Sequence, residues 1–429
     1  MNKYKSLSLQ NGAKLYYTKN NLSKTTMTHI VFNSGSRFDS IPGLAHFTEH
    51  LFLSGTKKKS KSEISKEYFE FINANMATNV SKIFFMGNVL TKSFKKYLSL
   101  VAECVTETVF SEKAVKDEMK VITQEIAAYK DNFQLNAMYY NDYFLTNEDV
   151  YKYSELGTEK TIATIKSKDV KNFVKEYFVQ ENMEVYVASP LKLSAVKKFV
   201  EQTLSTKINK NKNFTEIPNY RFEIKNDKFY KIITKDIGKS YLFINFIIPC
   251  MPKDFKRTKQ IELLVKMLNN QSDGIMNDLR WGGDENLTYG AWFGMSQGKE
   301  HNVITFYTEC GKSNLNPIIE KLATFLNNIQ QNGFKQKTMD FEKDKDKYLE
   351  DAKEINLRSE FHKLYDFKLY GHVRDEKQMR KYTAETTLED CNKLFKEMIN
   401  SNISLFVYGD ATQKDVVSKT DFKKMFNKK

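Results

Sequence analysis

The amino-acid sequence predicts an α+β protein built from two homologous domains, each a mostly antiparallel sheet covered by helices. The 429 residues include 41% apolar and 13% aromatic side chains, which is the composition of a folded chain long enough for two or three cores. The first half alternates helical and strand patterns, and several strands follow one another closely. This order favours an antiparallel or mixed sheet with helices packed on one face over a doubly wound parallel fold. The second half then repeats part of the first.

The repeat consists of an amphipathic helix, a short Asn-containing turn and a strand of alternating apolar residues. KDVKNFVKEYF (168–178) is echoed by EDCNKLFKEMI (389–399), and ENMEVYVASP (181–190) by SNISLFVYGD (401–410). Similarity at half the chain length predicts two copies of one domain.

The boundary between the copies is predicted in the polar stretch LSTKINKNKNFTEIPNY (204–220). This stretch lacks apolar periodicity and is rich in Lys and Asn, as an exposed linker is. We therefore expect one domain over residues 1–215 and a homologous domain over residues 216–429.

The elements of the first domain follow from local periodicity. THIVFNSGSRF predicts a strand that ends in a turn, HFTEHLFLS and SKSEISKEYFEFIN predict two helices, and MATNVSKIFFMGNVL predicts strands again. KSFKKYLSLVAECVTETVF and SEKAVKDEMKVITQEIAAYKDN predict two further amphipathic helices, the second with Ser111 as its N-cap.

The bulk properties exclude some classes of protein. The net charge is +14, but the lysines are spread along the chain without an RNA-binding aromatic signature, so we expect no nucleic-acid partner. A membrane span needs about eighteen consecutive apolar residues, and no segment approaches this length. The N-terminus also lacks the continuous apolar stretch of a secretory signal. We therefore expect no membrane insertion and a cytoplasmic location. The four separated cysteines, without a CxxC pair, predict free and mostly buried thiols.

The pentapeptide HFTEH holds two of the six histidines, His46 and His50, with Glu49 beside them. Positions four apart on a helix share a face, so both imidazoles point toward one place. Two imidazole nitrogens are the usual start of a zinc site, and a catalytic site also needs a carboxylate that can take a proton from water. HxxEH carries the parts of the metalloprotease motif HExxH in inverted order. The alternative is a solvated helix face that bears two histidines.

A third metal ligand can come from the predicted helix at 111–132. Glu118 and Glu125 lie two turns apart on one face, and their neighbours Ile122 and Ile126 indicate that this helix packs into the core. A carboxylate near a buried seam is costly unless it is paired or binds a metal. The alternative is a surface pair of glutamates on a charged helix.

With these residues, the sequence resembles the pitrilysin/insulinase family of zinc metallopeptidases, the inverzincins, and in particular its half-length, processing-peptidase-like members. The resemblance is carried by NSGSRFDSIPGLAHFTEHLFLSGTKK and by Asn75-Met76-Ala77-Thr78, which is similar to the family's Asn-Ala-x-Thr strand. The family also has a distal Glu about 75 residues after the second His and another Glu seven residues earlier, a spacing that Glu125 and Glu118 reproduce. The resemblance covers almost all of residues 1–200. It implies that residues 1–215 form a catalytic zinc-binding domain, and that residues 216–429 form a homologous non-catalytic domain that contributes substrate binding and dimerisation.

The resemblance implies the roles of five residues at the metal. It implies that one Zn²⁺ per chain is bound by His46, His50 and Glu125. Glu49 would be the general base, which takes a proton from the attacking water and later protonates the leaving amine. Glu118 would orient a ligand histidine by accepting its other ring N–H.

The resemblance also implies residues that bind substrate. The strand edge at Asn75, Met76 and Ala77 would pair with an extended peptide. NNQSDGIMNDLRWGGDENLTYGAWFG resembles the family's Leu-Arg…Leu-x-Tyr segment, so Arg280 and Tyr289 would bind substrate or stabilise the tetrahedral oxyanion. These two are nine positions apart where the family has seven, which suggests two residues inserted in a Gly-rich turn.

The expected function is a zinc-dependent endopeptidase that hydrolyses short or unfolded peptides, in leader-peptide processing or oligopeptide degradation. The resemblance implies that one chain forms half of a clamshell around a closed chamber, and hence a homodimer or a heterodimer with a homologous subunit. One alternative is a subunit of a heterodimeric processing peptidase whose partner is a non-catalytic homologue. Another is a non-catalytic subunit, although such subunits usually lose the HxxEH residues, which are intact here.

Overall fold

The structure, a computed structural model, describes residues 3–9, 12–71, 73–218, 221–224, 229–281, 286–351 and 356–426. The strands of the first half are β1 Tyr4–Ser8, β2 Lys14–Lys19, β3 Thr25–Phe32, β4 Asn75–Thr78, β5 Ile83–Leu90 and β6 Met183–Ser189. Those of the second half are β7 Tyr230–Thr234, β8 Ser240–Pro249, β9 Ala291–Gln297, β10 His301–Cys310 and β11 Asn402–Gly409.

The helices surround these strands. The first eight are α1 Leu44–Leu51, α2 Lys61–Phe69, α3 Phe94–Glu107, α4 Glu112–Lys130, α5 Phe133–Thr146, α6 Glu159–Ile162, α7 Ser167–Tyr177 and α8 Leu193–Val200. The others are α9 Phe255–Leu268, α10 Leu315–Asn332, α11 Gln336–Asp351, α12 Leu357–Tyr370, α13 Glu376–Glu385, α14 Leu388–Ile399 and α15 Lys419–Phe426. Two π-helical turns occur at Glu201–Ser205 and Asn277–Trp281.

Two sheets form, and their strand orders repeat one another. Sheet 1 has the order β1-β2-β6-β3-β5-β4, and sheet 2 has the order β7-β11-β8-β10-β9. The pairs β2–β6 and β7–β11 are parallel, and all other pairs are antiparallel. From β2 to β4, sheet 1 therefore has the same topology as sheet 2. The helix-and-strand echo in the sequence corresponds to α7–β6 and α14–β11, so the predicted α+β class with two alike domains is confirmed.

The chain divides into two compact units, which differ from two consecutive blocks. Unit 1 comprises the described residues within Met1–Asp131, Tyr153–Tyr220 and Glu354–Arg374. Unit 2 comprises those within Asn132–Lys152, Arg221–Lys353 and Asp375–Lys429. Each half of the sequence thus gives one segment to the unit formed mainly by the other half. The predicted division at residue 215 does not include this exchange. Of the predicted linker, Leu204 is still buried in unit 1, and residues 219 and 220 lie outside the described residues.

The exchanged helix α12 covers the outer face of sheet 1, on the side away from the main helical layer. Its residues Phe361 and Leu364 are fully buried against Tyr186 and Val31. Under the same helix, Glu184 of β6 accepts a hydrogen bond from Tyr186, 2.7 Å away, and forms an ion pair with Lys368, 2.5 Å away. Helices therefore cover both faces of this sheet, whereas the sequence predicted helices on one face.

The exchanged helix α5 covers the outer face of sheet 2, and the contacts described next are between uncharged side chains. Its Phe144 packs against Phe406 of β11, with ring centroids 5.5 Å apart. Beside them, the buried amide of Asn245 donates to Asn141 of α5 at 3.0 Å and its oxygen accepts from Thr305 at 2.8 Å. Each exchanged helix is thus held by an apolar cluster and a buried polar group on the strand beneath it.

His29 on β3 is buried and contacts α12, and we expect its titration to make the docking of α12 dependent on pH. Its Nδ1 lies 2.6 Å from the Tyr365 hydroxyl, and its ring lies 4.5 Å from that of Phe361. Burial, together with the nearby His362, lowers the pKa of His29 to about 4. In the unfolded chain, His29 has its ordinary pKa of about 6.5 and takes up a proton below that pH. The contribution to stability is therefore complete above about pH 6.5 and is lost as the pH falls toward 4.

We expect the unfolding free energy of unit 1 to be lower at pH 5 than at pH 7.5. This decrease should be about 2 kcal/mol larger for the wild type than for His29→Gln. Both tryptophans, Trp281 and Trp292, lie in unit 2, so their fluorescence does not report on unit 1. Hydrogen exchange of the β3 and β6 amides at the two pH values provides the measurement. If the unfolding free energy decreased equally in the two proteins, His29 would not be the residue that makes the stability of unit 1 depend on pH.

Two other sequence expectations bear on the class of protein. Within the described ranges, no helix combines the length and the apolar character needed to cross a bilayer. All four cysteines are free and buried, as predicted.

Candidate metal centre

Helix α1 carries both histidines of HFTEH, and its start is fixed by Gly43 and Asp39. Gly43 has a φ of 98°, a left-handed conformation, and an added Cβ there would meet the carbonyl oxygen of Leu156 at 2.6 Å. The carboxylate of Asp39 accepts the backbone N–H groups of Gly43 and Ala45, both at 2.8 Å. It thereby satisfies donors that the first turn of a helix leaves unpaired. Seven of the eight helix residues, all except His50, are buried, so packing constrains the orientation of the helix and of the His46 side chain.

The structure brings His46, His50 and Glu125 together. One ligand atom from each residue lies within 4.8 Å of the other two, and no other such group of three exists among the described residues. Oε2 of Glu125 lies 3.8 Å from Nε2 of His46 and 3.4 Å from Nε2 of His50. Two imidazole nitrogens and one carboxylate oxygen form the ligand set of a catalytic zinc site that leaves a position open. The donor set of these residues therefore fits Zn²⁺.

Helix α4 supplies the two glutamates. It begins at the N-cap Ser111, as predicted, whose hydroxyl accepts the N–H of Ala114 at 3.0 Å. Glu118 is buried, and its Oε1 lies 3.0 Å from Nδ1 of His50. Two turns later, the less buried Glu125 reaches the other nitrogen of the same ring. His50 is thus held from both sides by carboxylates of one helix.

Glu49 points into the same place from α1. Its side chain is buried, and its Oε2 accepts a hydrogen bond from the hydroxyl of Thr78 on β4 at 2.9 Å. Burial raises the pKa of Glu49, and the hydrogen bond from Thr78 and the nearby His50 oppose this rise. A carboxylate whose pKa lies closer to neutrality is a better general base near pH 7.

The pKa values of the two histidines are shifted in opposite directions. Burial and the neighbouring His50 lower the pKa of His46 to about 4. Burial also acts to lower the pKa of His50, but hydrogen bonds to Glu118 and Glu125 outweigh it and raise this pKa to about 9. Histidine binds a metal in its neutral form, so a metal competes with the proton on His50. Metal affinity is therefore expected to fall as the pH falls.

The cluster opens into a cavity of about 500 Å³ in unit 1. Asn75, Met76 and Ala77 line it from β4, which is the last strand of sheet 1 in the described part of the chain. Leu53 and Phe69 add apolar surface. An edge strand presents backbone N–H and C=O groups that an extended peptide can pair with. The predicted strand edge and the predicted metal ligands thus face one cavity.

Arg280 and Tyr289 lie in unit 2, and so in a different unit from the cluster. The guanidinium of Arg280 lies 4.3 Å from the centre of the Tyr289 ring, and its Nη1 donates to the Tyr289 carbonyl at 2.5 Å. The longer spacing therefore still allows the two residues to contact each other. Arg280 is in a π-helical turn, and Tyr289 is 84% exposed. The predicted insertion falls on residues 282–285, which lie outside the described residues.

Sequence reasoning missed three residues that contact the side chains of the site or the helix that carries them: Asp39, Lys61 and Thr78. Asp39 stands shortly before the first turn of α1, which is a recognisable position for an acidic capping residue. Thr78 closes the Asn-Ala-x-Thr match, but only the structure shows which residue its hydroxyl contacts. Lys61 lies in a lysine-rich run, and nothing in that run distinguishes it.

Two family descriptions match the sequence. The description "Insulinase (Peptidase family M16)" matches residues 15–148, and "Peptidase M16 inactive domain" matches residues 164–345. An uncharacterized zinc protease of Bacillus subtilis, YmxG, is 23% identical over 351 residues, which are 79% of this chain and 82% of the relative. A probable mitochondrial-processing peptidase subunit beta of Arabidopsis thaliana is 24% identical, over 48% of this chain and 40% of the length of that relative.

Solved structures share the fold. The first half of the periplasmic protease PqqL from Escherichia coli aligns with a TM-score of 0.79 and 16% identity, over 99% of this chain and 96% of that chain. The complete PqqL chain aligns equally well, but this chain covers only 50% of it. This chain thus spans about half the length of that protease.

Proposed function

The chain belongs to the insulinase (peptidase M16) family, and on this basis we propose that it is a zinc-dependent endopeptidase acting on short or unfolded peptides. The observation that supports this proposal most directly is the convergence of His46, His50 and Glu125, whose ligand atoms lie within 4.8 Å of one another and which line one cavity. Glu49, which a hydrolase would need as its base, lines the same cavity.

In the proposed mechanism, His46, His50 and Glu125 hold one Zn²⁺ per chain. A zinc ion there supplies Lewis-acid chemistry, because it polarises a carbonyl and makes water more acidic. Glu49 takes the proton from the attacking water and passes it to the leaving amine. Glu118 accepts the Nδ1–H of His50, which leaves Nε2 of that ring for the metal.

The same cavity suggests how substrate is bound. An extended peptide would add to β4 at Asn75, Met76 and Ala77 through main-chain hydrogen bonds. Thr78 follows directly in this strand and donates to Glu49, so the strand that binds the peptide also orients the base. Arg280 and Tyr289 are proposed to bind substrate or to stabilise the oxyanion, from this chain or from a second subunit.

A second subunit is part of the proposal, because this chain covers 50% of the chain of the periplasmic protease PqqL. Two copies of the chain, or this chain and a homologue, would form a closed chamber that admits only short or unfolded peptides. The alternative is a heterodimeric processing peptidase with a non-catalytic partner, and similarity to a mitochondrial-processing peptidase subunit beta favours it. Full activity of the purified chain without a second polypeptide would reject this alternative. The cytoplasmic location stays a prediction from the sequence.

The test is cleavage of a short internally quenched peptide by the purified chain, together with its metal content. We expect one zinc per chain, loss of cleavage when a chelator removes the metal, and recovery when zinc is added back. A protein that cannot be loaded with zinc, or that cleaves equally well without metal, would refute the proposed function.

A further inference from the structure

Lys61 is the first residue of α2, and its backbone position is well fixed. The preceding Ser60 caps the helix: its Oγ accepts the N–H of Glu63 at 3.3 Å, and the Glu63 carboxylate accepts the N–H of Ser60 at 2.8 Å. Later in the helix, Ile64 and Tyr68 are fully buried in the core of unit 1. The side chain of Lys61 therefore extends toward the cavity from a rigid base.

The ammonium of Lys61 contacts the carboxylate that orients His50. Nζ of Lys61 lies 2.6 Å from Oε2 of Glu118, while Oε1 of Glu118 lies 3.0 Å from Nδ1 of His50. Each oxygen of Glu118 thus has its own donor. The side chain of Glu118 is only 6% exposed, so loss of either donor would leave a buried oxygen without a partner.

We propose that Lys61 is a positioning residue of the zinc site, acting through Glu118. With one oxygen of Glu118 held by Lys61, the other faces His50, and Nε2 of that ring is directed toward Glu125, 3.4 Å away. Three helices then fix the ligand set: α1 by its histidines, α4 by its glutamates and α2 by Lys61. This inference rests on the proposed zinc peptidase function.

The alternative is that Lys61 and Glu118 form an ordinary surface ion pair, because the Lys61 side chain is 56% exposed. Exposed pairs contribute little, since water solvates both partners. Here one partner is buried and also holds a proposed metal ligand, so the two cases differ in what a substitution changes. An ordinary pair would affect stability at most, whereas a positioning residue would affect how tightly the metal is held.

The experiment compares Lys61→Met with Lys61→Arg, which keeps a cation, and with Lys58→Met, which removes an exposed lysine from the same run. Zinc release to a chromogenic chelator is measured for each loaded protein. We expect release about 10–100-fold faster for Lys61→Met, since outer partners of metal ligands typically have effects of this size. Lys61→Arg is expected to recover most of the retention, and Lys58→Met to release zinc at the wild-type rate. Peptide kinetics should show a lower kcat for Lys61→Met with KM unchanged.

Thermal unfolding of the zinc-free proteins separates positioning from a general loss of stability. If Lys61→Met unfolds at the wild-type temperature but releases zinc faster, the proposal is supported. Wild-type zinc release by Lys61→Met would overturn it and leave the peptidase function intact. A raised KM with normal zinc release would also overturn it, because Lys61 would then contact substrate. A wild-type chain that cannot hold zinc would overturn the peptidase function and this inference together.

Discussion

Replacing Glu49 by Gln is expected to lower kcat/KM for a quenched peptide by about 10²–10⁴-fold while one zinc per chain is retained. The amide has the size of the carboxylate and can still accept the hydrogen bond of Thr78, 2.9 Å from Glu49. However, it cannot take a proton from water. The ligand atoms of His46, His50 and Glu125 do not include Glu49, so metal binding should not change.

The measurement combines steady-state kinetics with metal analysis of the same protein sample. Glu70→Gln serves as a control, because Glu70 is exposed, follows directly after α2 and is not among the residues that line the cavity. The control should keep both zinc and activity. If Glu49→Gln held zinc and cleaved the peptide at the wild-type rate, Glu49 would not be the base.

Replacing His50 by Ala is expected to abolish zinc retention and, with it, peptide cleavage. Structural zinc sites gain about 10–16 kcal/mol in total, so one ligand of three accounts for roughly 3–5 kcal/mol, or about a hundredfold to several thousandfold in Kd. His50 also separates two acidic groups, because it contacts both Glu118 and Glu125. Without the imidazole, these carboxylates of α4 lose a shared partner.

Zinc content after gel filtration, and the zinc concentration needed to restore cleavage, provide the measurement. His372→Ala is the matched control, since His372 is exposed and lies on a different segment of unit 1. It should bind one zinc and cleave normally. A His50→Ala protein that retained stoichiometric zinc after filtration would remove His50 from the ligand set.

The parts of the fold predicted from sequence are those that depend on local periodicity. HFTEH was predicted to be helical with both histidines on one face, and α1 is such a helix. The echo between the halves predicted two alike domains, and the two sheets repeat the same strand order. The pair Glu118 and Glu125 was recognised by its spacing of two helical turns, which depends only on the helix itself.

The parts that were not predicted depend on contacts between distant segments. The pattern of α5 and α12 shows that each has an apolar face, but it does not specify which sheet receives that face. Both helices pack on the sheet formed mainly by the other half of the sequence. The contact of Lys61 with Glu118 joins two helices far apart in sequence, in a chain where lysine is abundant. Composition obscures such a residue until the coordinates identify its partner.

The exchange of α12 links the order of translation to the completion of unit 1. A ribosome makes the segment with all the residues of the cluster well before it makes Leu357–Tyr370. Until then, Tyr186 and Val31 on the outer face of sheet 1 have no cover. A nascent chain without α12 therefore exposes an apolar surface of the kind that makes folding intermediates prone to aggregate. Unit 1 would be complete only after α12 has emerged, which would delay the proposed peptidase activity beside other growing chains.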